Sequence, residues 1–236
     1  MLRFIGIGSA FNTAMGNNSA YYKNGSSILI IDCGGNVFSR IMHYEILNNI
    51  SNIYVLITHT HPDHFASLGD LIFYAYYAMN TKVTILTPDA ENIILLLKYM
   101  GVNRDLFNLR KLEHENKISE NKFEVSISYY NAVHVKELNC YSYMLELEGK
   151  RIFYSGDSSE MTSEMLAMLE TGYIDIYYQD TSSFNFKDNP HLSFTKLCEV
   201  IKPDLRKNVF CMHIDEKFDK LDAIKQGFSI VQLEQE

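Results

Sequence analysis

The run Thr58-His59-Thr60-His61-Pro62-Asp63-His64 puts three imidazoles and a carboxylate within six residues, directly after the apolar stretch Ile53-Tyr-Val-Leu-Ile57. A short unbroken apolar run is typical of a strand covered on both faces. Donors gathered just beyond such a strand require a fold that brings more donors to the same end, as an open α/β sheet does. In extended backbone His59, His61 and Asp63 project to one side, and the turn favoured by Pro62 can separate Asp63 and His64 from the other two. One motif can then serve two metals. The bland alternative is a solvated histidine-rich turn, and the rest of the chain has to decide between them.

The flanking sequence supports a layered α/β chain. Arg3-Phe-Ile-Gly-Ile-Gly and Ser26-Ser-Ile-Leu-Ile-Ile-Asp32 read as strands separated by loop sequence around Gly16-Asn17-Asn18. Helical periodicity covers 37–48, 65–79 and 89–100, with a strand at 82–86. The second half repeats the plan: strands at 123–130, 141–148, 151–154, 174–178 and 208–211, helices at 163–170 and 194–201, and a last helix and strand to Val231. Two similar halves, each a sheet with helices outside, predict a four-layered αββα sandwich of the α/β class. Four prolines and no low-complexity tract give no boundary, so we expect one domain over 1–236.

Composition excludes several classes. The chain is 47% apolar and 21% charged, which argues against disorder. The N-terminus lacks the pattern of an export signal, and no stretch reaches the roughly eighteen apolar residues of a spanning helix. A cytoplasmic protein without a membrane partner is expected. Cys33, Cys140, Cys198 and Cys211 form no CxxC pair, so they suggest neither a disulfide framework nor a thiolate-bound zinc. A net charge of -8 argues against gripping a long nucleic acid, while bound cations can still reverse the local field.

Of eight histidines, only His43 and His114 lack a motif-like setting. His134, in Asn131-Ala-Val-His134-Val, and His213, in Phe210-Cys-Met-His213-Ile, each follow an apolar strand; alone, each reads as a half-buried core histidine. Asp157 follows a strand and a glycine in Ile152-Phe-Tyr-Ser-Gly156-Asp157, where small neighbours allow close approach and a helix cap is the plain alternative. This pattern resembles the metallo-β-lactamase superfamily, with its TH-x-H-x-D-H loop, a distant His, an Asp after a strand and Gly, and a final His. The resemblance implies one metal held by His59, His61 and His134, another by Asp63, His64 and His213, and Asp157 bridging. Asp32 matches an early aspartate that orients the histidine loop. Implied with them is a water or hydroxide shared by two divalent cations, acidified and facing a polarised substrate oxygen. The His/Asp set suits zinc best, and manganese, iron or cobalt take the same ligands. His61 argues against the oxygen-reducing di-iron branch, which places Glu there.

Between Asp157 and His213, Tyr178-Gln179-Asp180 and Asn189-Pro190-His191-Leu192-Ser193 resemble the ribonuclease Z-like phosphodiesterase branch, in which that histidine faces the scissile phosphate. His191, oriented by Asp180, would stabilise phosphoryl charge or protonate the leaving oxygen; Asp63, His191 and Asp180 are therefore assigned to the reaction. The alternative is that Asn189, His191 and Ser193 only cap a helix. Transfer RNA-processing members carry a long arm between the positions of His134 and Asp157, where only 22 residues stand here. The chain is thus more similar to arm-less cyclic nucleotide phosphodiesterases, including anti-Pycsar enzymes. That resemblance implies hydrolysis of a small phosphodiester, best guessed as a 3′,5′-cyclic nucleotide, by a homodimer in which one subunit's loop helps close its neighbour's pocket. A tRNA 3′-endonuclease, a thioester or lactone hydrolase, and a non-catalytic nucleotide-binding module are the alternatives. Tyr74, Tyr76 and Tyr77 are rings that could stack on a base, and Asn12, Asn17 and Asn18 lie in a loop that could face the site; the plain reading is that most of them are core or interface residues.

Overall fold

A computed structural model of the protein describes residues 1–234. The first sheet takes six strands in chain order: β1 (Arg3–Gly6), β2 (Ser19–Asn24), β3 (Ser27–Ile31), β4 (Asn52–Leu56), β5 (Val83–Thr87) and β6 (Phe107–Lys111). β1 to β3 are antiparallel, and β3 to β6 run parallel. The parallel crossovers carry α1 (Val37–His43), then α2 (Pro62–Phe65) with α3 (Leu68–Tyr77), then α4 (Ala90–Tyr99). The second sheet follows the same plan over β7 (Asn116–Glu120), β8 (Phe123–Asn131), β9 (Tyr141–Leu147), β10 (Lys150–Tyr154), β11 (Ile176–Asp180), β12 (Val209–Met212) and β13 (Ser229–Ile230). It is antiparallel up to β10 and parallel beyond, with α5 (Ser163–Glu170), α6 (Phe194–Val200) and α7 (Lys220–Lys225) in the crossovers.

The alternation of side chains across a strand explains the layers. In β3, Ile28 and Ile30 pack with Val37 and Ile41 of α1, Leu68 and Ile72 of α3, and Ile93 and Leu97 of α4. Leu29 and Ile31 turn the other way, into a core shared with Phe123, Ile127, Leu145 and Tyr154 of the second sheet, which continues to Met165 and Leu169 of α5 and Leu197 of α6. The order is helices, sheet, sheet, helices, the expected αββα sandwich. Each buried Ile or Leu contributes about 1.5–3 kcal/mol, so strands apolar on both faces fix this order strongly. Between the sheets the Phe4 and Tyr178 rings meet at 5.1 Å, and Tyr143 Oη donates to the Ile57 carbonyl.

Several sequence expectations shift. The opening layer contains β2, unrecognised in the sequence, between β1 and β3. The helix expected over 37–48 stops at His43, where Glu45 adopts φ 53° and lets Ile46, Leu47 and Ile50 turn into the core. The helix expected over 65–79 is two, α2 starting at Pro62 and α3 at Leu68; Ser67 between them accepts from Phe38 N–H and donates to the Gly34 carbonyl. The strand expected at 174–178 runs from Ile176 to Asp180. The stretch between His134 and Asp157 holds the β9–β10 hairpin. Among the described residues no helix is long and apolar enough to cross a membrane.

Candidate metal centre

Every donor singled out in the sequence stands at the same end of the two sheets. His59 follows β4; His61 is the N-cap of α2, whose first turn carries Asp63 and His64. His134 follows β8, Asp157 follows β10, Asp180 ends β11 and His213 follows β12. Two glycines make the approach possible. A Cβ on Gly34 would lie 1.7 Å from the Asp63 carbonyl oxygen, so only glycine lets the chain after β3 pass beneath the metal loop. Gly156 has φ +59°, and a Cβ there would come within 2.7 Å of the Tyr141 carbonyl oxygen.

The donors fall into three overlapping groups that all contain Asp157; one joins it to Asp180, His191 and His213, and the other two carry the residues of the histidine loop. Of those two, His59, His61, His134 and Asp157 form the first, and Asp63, His64, Asp157 and His213 the second. In the second, His64 Nε2 is 3.3 Å from Asp63 Oδ2 and 3.2 Å from Asp157 Oδ1, and His213 Nε2 is 3.4 and 3.5 Å from the same atoms. Ligands at zinc-like distances in a tetrahedron are separated by about 3.3 Å, so this spacing fits one ion. In the first set His61 Nδ1 is 2.9 Å from His59 Nε2 and 3.3 Å from His134 Nε2, while Asp157 Oδ2 is 3.8 and 3.7 Å from His59 and His134 Nε2. Asp157 gives one oxygen to each set, the geometry of a bridge.

The surrounding hydrogen bonds decide which ring nitrogens are bare. Asp32, fully buried at φ 64°, accepts from Thr58 N–H at 2.8 Å, Thr58 Oγ1–H at 2.7 Å and His64 Nδ1–H at 2.8 Å. Thr58 Oγ1, having given its proton to Asp32, accepts from His59 Nδ1–H at 3.1 Å. One carboxylate thus fixes two histidines, one directly and one through Thr58, with Nε2 of each left for an ion. His134 Nδ1–H donates to the Pro190 carbonyl at 2.9 Å, and His213 Nδ1–H to Asp180 Oδ1 at 3.1 Å.

This arrangement lacks only positive charge. His64 Nε2 and Asp157 Oδ1 are buried without a hydrogen-bond partner. Burial pulls His64 and His213 toward neutrality, but Asp157 with Asp32 holds His64 well above the usual histidine value, and Asp157 with Asp180 pushes His213 up to about 10. Burial would raise Asp157, yet His213 and His64 hold it well below the usual carboxylate range. Burial together with neighbouring His64 keeps His59 well below its ordinary value, as befits a neutral ligand. Protons take the place here that a divalent cation fits, and the donor chemistry, nitrogen with carboxylate oxygen, suits zinc or a similar borderline ion.

His191 stands beside these sets. Its Nδ1–H donates to Asp180 Oδ2 at 2.7 Å and lies 3.9 Å from Asp157 Oδ2, and its ring stacks on His213 at 5.0 Å. Nε2 is left free on a side chain 25% exposed at the mouth of a cleft lined by His61, Asp63, His134, Asp157 and His213. Burial lowers the proton affinity of His191, but Asp180 outweighs it and raises the ring above its ordinary value. Of the capping alternative only Ser193 holds, as the N-cap of α6; Asn189 Oδ1 accepts from His191 N–H ahead of the helix. Asp180 does more than was expected of it, since it anchors His213 as well as His191.

Thr58, the Pro190 carbonyl and the Asp180 to His213 bond were not legible as functional features. Tyr74, Tyr76 and Tyr77 lie on α3, outside the cleft lining, and Tyr77 stacks on Phe73. Asn17 does line the cleft, Asn12 lines an adjoining cavity, and Asn18 is buried beneath, donating to Tyr154 Oη.

Comparison with known proteins places the chain among described ones. The family profile described as "Anti-Pycsar protein Apyc1" matches residues 1–236. The Bacillus phage BSP38 protein of that description is 30% identical, over 92% of this chain and 90% of its own length. Among solved structures, the metallo-β-lactamase fold protein YhfI from Bacillus subtilis superposes with a TM-score of 0.76 at 16% identity, covering 97% of this chain and 94% of its own. The short form of human tRNase Z does so with a TM-score of 0.67 at 14% identity, covering 98% and 95%. The fold is therefore the metallo-β-lactamase fold.

Proposed function

This chain belongs to the anti-Pycsar Apyc1 family, and from that premise we propose that it is a phosphodiesterase that hydrolyses 3′,5′-cyclic nucleotides with two divalent cations, zinc by preference. The observation carrying this reading is the His191–Asp180 pair beside the shared carboxylate Asp157. Acyl or thioester hydrolysis would leave His191 without a task.

His59, His61, His134 and Asp157 would hold one cation, and Asp63, His64, Asp157 and His213 the other. Bound there, such cations supply Lewis-acid charge, acidifying water and polarising a phosphoryl oxygen. The chain's own residues do the rest. Asp32, Thr58, Pro190 and Asp180 keep the imidazoles in the tautomers that ligation needs. His191, whose proton affinity Asp180 raises above its ordinary value by accepting from Nδ1–H, would present Nε2–H to the cleft. There it offsets negative charge on the phosphoryl oxygens or gives its proton to the leaving oxygen. Asp180 positions His191 and does not touch the substrate; Asp63 acts as a ligand.

The β9–β10 hairpin occupies the stretch where an RNA-gripping arm would be inserted, which favours a small substrate. A homodimer is part of the same proposal, checked by light scattering. Hydrolysis should be measured on 3′,5′-cyclic mononucleotides, a 3′-extended tRNA and a thioester, with His61→Ala and His191→Ala as controls. Cleavage of cyclic mononucleotides, lost in both variants, is the expected result. Turnover of the tRNA alone or the thioester alone would sink the reading.

A further inference from the structure

Three phenylalanines stand in solvent next to the metal cleft: Phe11 is 91% exposed, Phe186 55% and Phe184 44%. Single exposed apolar side chains are ordinary, but these three line one cavity of about 380 Å³, whose remaining wall includes Asn12, Asn189 and Lys217. That is within the usual range for a small-molecule site. The cavity shares Phe11, Pro190, His191 and His213 with the metal cleft. A molecule held at the metal centre by one end therefore reaches the rings past His191.

The loops carrying these rings are held to one segment, the residues directly after His213. On one side Ser9 N–H and Asn12 Nδ2–H both donate to the Ile214 carbonyl at 3.0 Å, and Asn12 N–H closes a turn onto Ser9. On the other, Asp215 accepts from Ser183 N–H at 2.7 Å and Ser183 Oγ–H at 2.6 Å. Phe184 N–H donates to Ser182 Oγ, and the Phe184 carbonyl accepts from Asn189 Nδ2–H at 2.7 Å. Lys217 places its ammonium 5.6 Å from the centre of the Phe184 ring. Exposed rings on backbone fixed this thoroughly are pre-organised surfaces, and pre-organisation lowers the ordering cost of binding.

We propose that Phe11, Phe184 and Phe186 form a stacking subsite for the nucleobase of the substrate, built within a single chain beside the metal centre. This rests on the phosphodiesterase reading for the position of the phosphate. The choice of a base follows from chemistry: the lining carries three aromatic rings together with polar Asn12, Asn189 and Lys217, and the occupant would be tethered to a phosphodiester at His191. Stacking of a base on an aromatic side chain is lost on truncation to alanine, with a cost in affinity of about tenfold or more.

The test compares the metal-loaded wild-type protein with Phe184→Ala and Phe186→Ala. Binding of a slowly hydrolysed phosphorothioate of adenosine 3′,5′-cyclic phosphate is measured by calorimetry. Turnover is measured on adenosine 3′,5′-cyclic phosphate and on the base-free methyl riboside 3′,5′-cyclic phosphate, and light scattering records the oligomeric state. We expect each variant to bind the nucleotide about tenfold more weakly, with KM raised more than kcat falls, and the base-free compound to be turned over as by wild type. Unchanged nucleotide affinity overturns the subsite, as does an equal loss on the base-free compound. So does a change of oligomeric state with affinity intact, which would make the rings an interface. Phenylalanine-dependent binding without turnover by wild type would uphold the subsite and defeat the phosphodiesterase reading. Turnover unaffected by either substitution would do the reverse.

Discussion

Asp32 and Asp180 occupy equivalent posts, each a fully buried carboxylate at the end of a strand in its own sheet, each holding metal-facing imidazoles by their Nδ1 protons. Replacing Asp32 by Asn keeps the shape but can offer an N–H where His64 Nδ1 needs an acceptor, which drives the ring proton to Nε2, the atom that should bind the ion. Asp32→Asn should lower metal affinity by about 10–100-fold, read by titration with a chelating indicator; unaltered affinity would show that the tautomer argument is wrong. His191 is different, since its bare nitrogen faces the cleft. His191→Ala should retain its full metal content by elemental analysis while kcat falls by about 10²–10⁴. Loss of metal in that variant would place His191 among the ligands instead. Asp180→Asn should show both defects at once, because the same carboxylate serves His191 and His213.

At the scale of elements, the metal loop depends on what passes beneath it. The first residues beyond β3 run so close under α2 that Gly34→Ala drives a methyl group against the Asp63 carbonyl. We expect a loss of at least about 2 kcal/mol in denaturant unfolding, with weaker metal retention; a variant as stable as wild type would mean that the loop yields freely. How much of this was legible in the sequence follows from polarity. The donor cluster and the strands apolar on both faces, β3 and β4, announce themselves because burial on two sides leaves no polar position. β6 (Phe-Asn-Leu-Arg-Lys) and β7 (Asn-Lys-Ile-Ser-Glu) stand at sheet edges, where charged side chains guard against unwanted pairing, and they read as loops for that reason. β2 was hidden by the Asn/Ser-rich turn before it. Contacts such as Thr58 to His59 or Pro190 to His134 depend on chain crossings that local pattern does not encode.

For the whole molecule, the centre concentrates buried carboxylates whose charge must be offset by protons on the imidazoles or by a cation. In metal-free protein the raised proton affinities of His64 and His213 contribute stability that is full below about pH 6.5, the unfolded value, and is lost as pH rises through about 10 for His213. Asp157 and Asp63, held low, contribute stability present above their unfolded value near about 4 and lost in stronger acid. Chelated protein should therefore melt highest in mildly acidic buffer and progressively lower toward pH 10, while metal-loaded protein holds its melting temperature over that range. A chelated form that gains stability between neutrality and pH 9 would contradict this charge assignment. The two donor sets that include the histidine loop also draw on both sheets, the first joining His59 and His61 to His134 and Asp157, the second joining Asp63 and His64 to Asp157 and His213. An ion bound there closes a very long loop of chain, and a long closure is entropically remote until the two sheets have met. Neither sheet alone holds either of these two sets, so an ion bound in one of them as proposed would be captured only once the sheets have met. On that reading loading would follow folding, and the occupied centre would act as a clasp that slows the two sheets from parting.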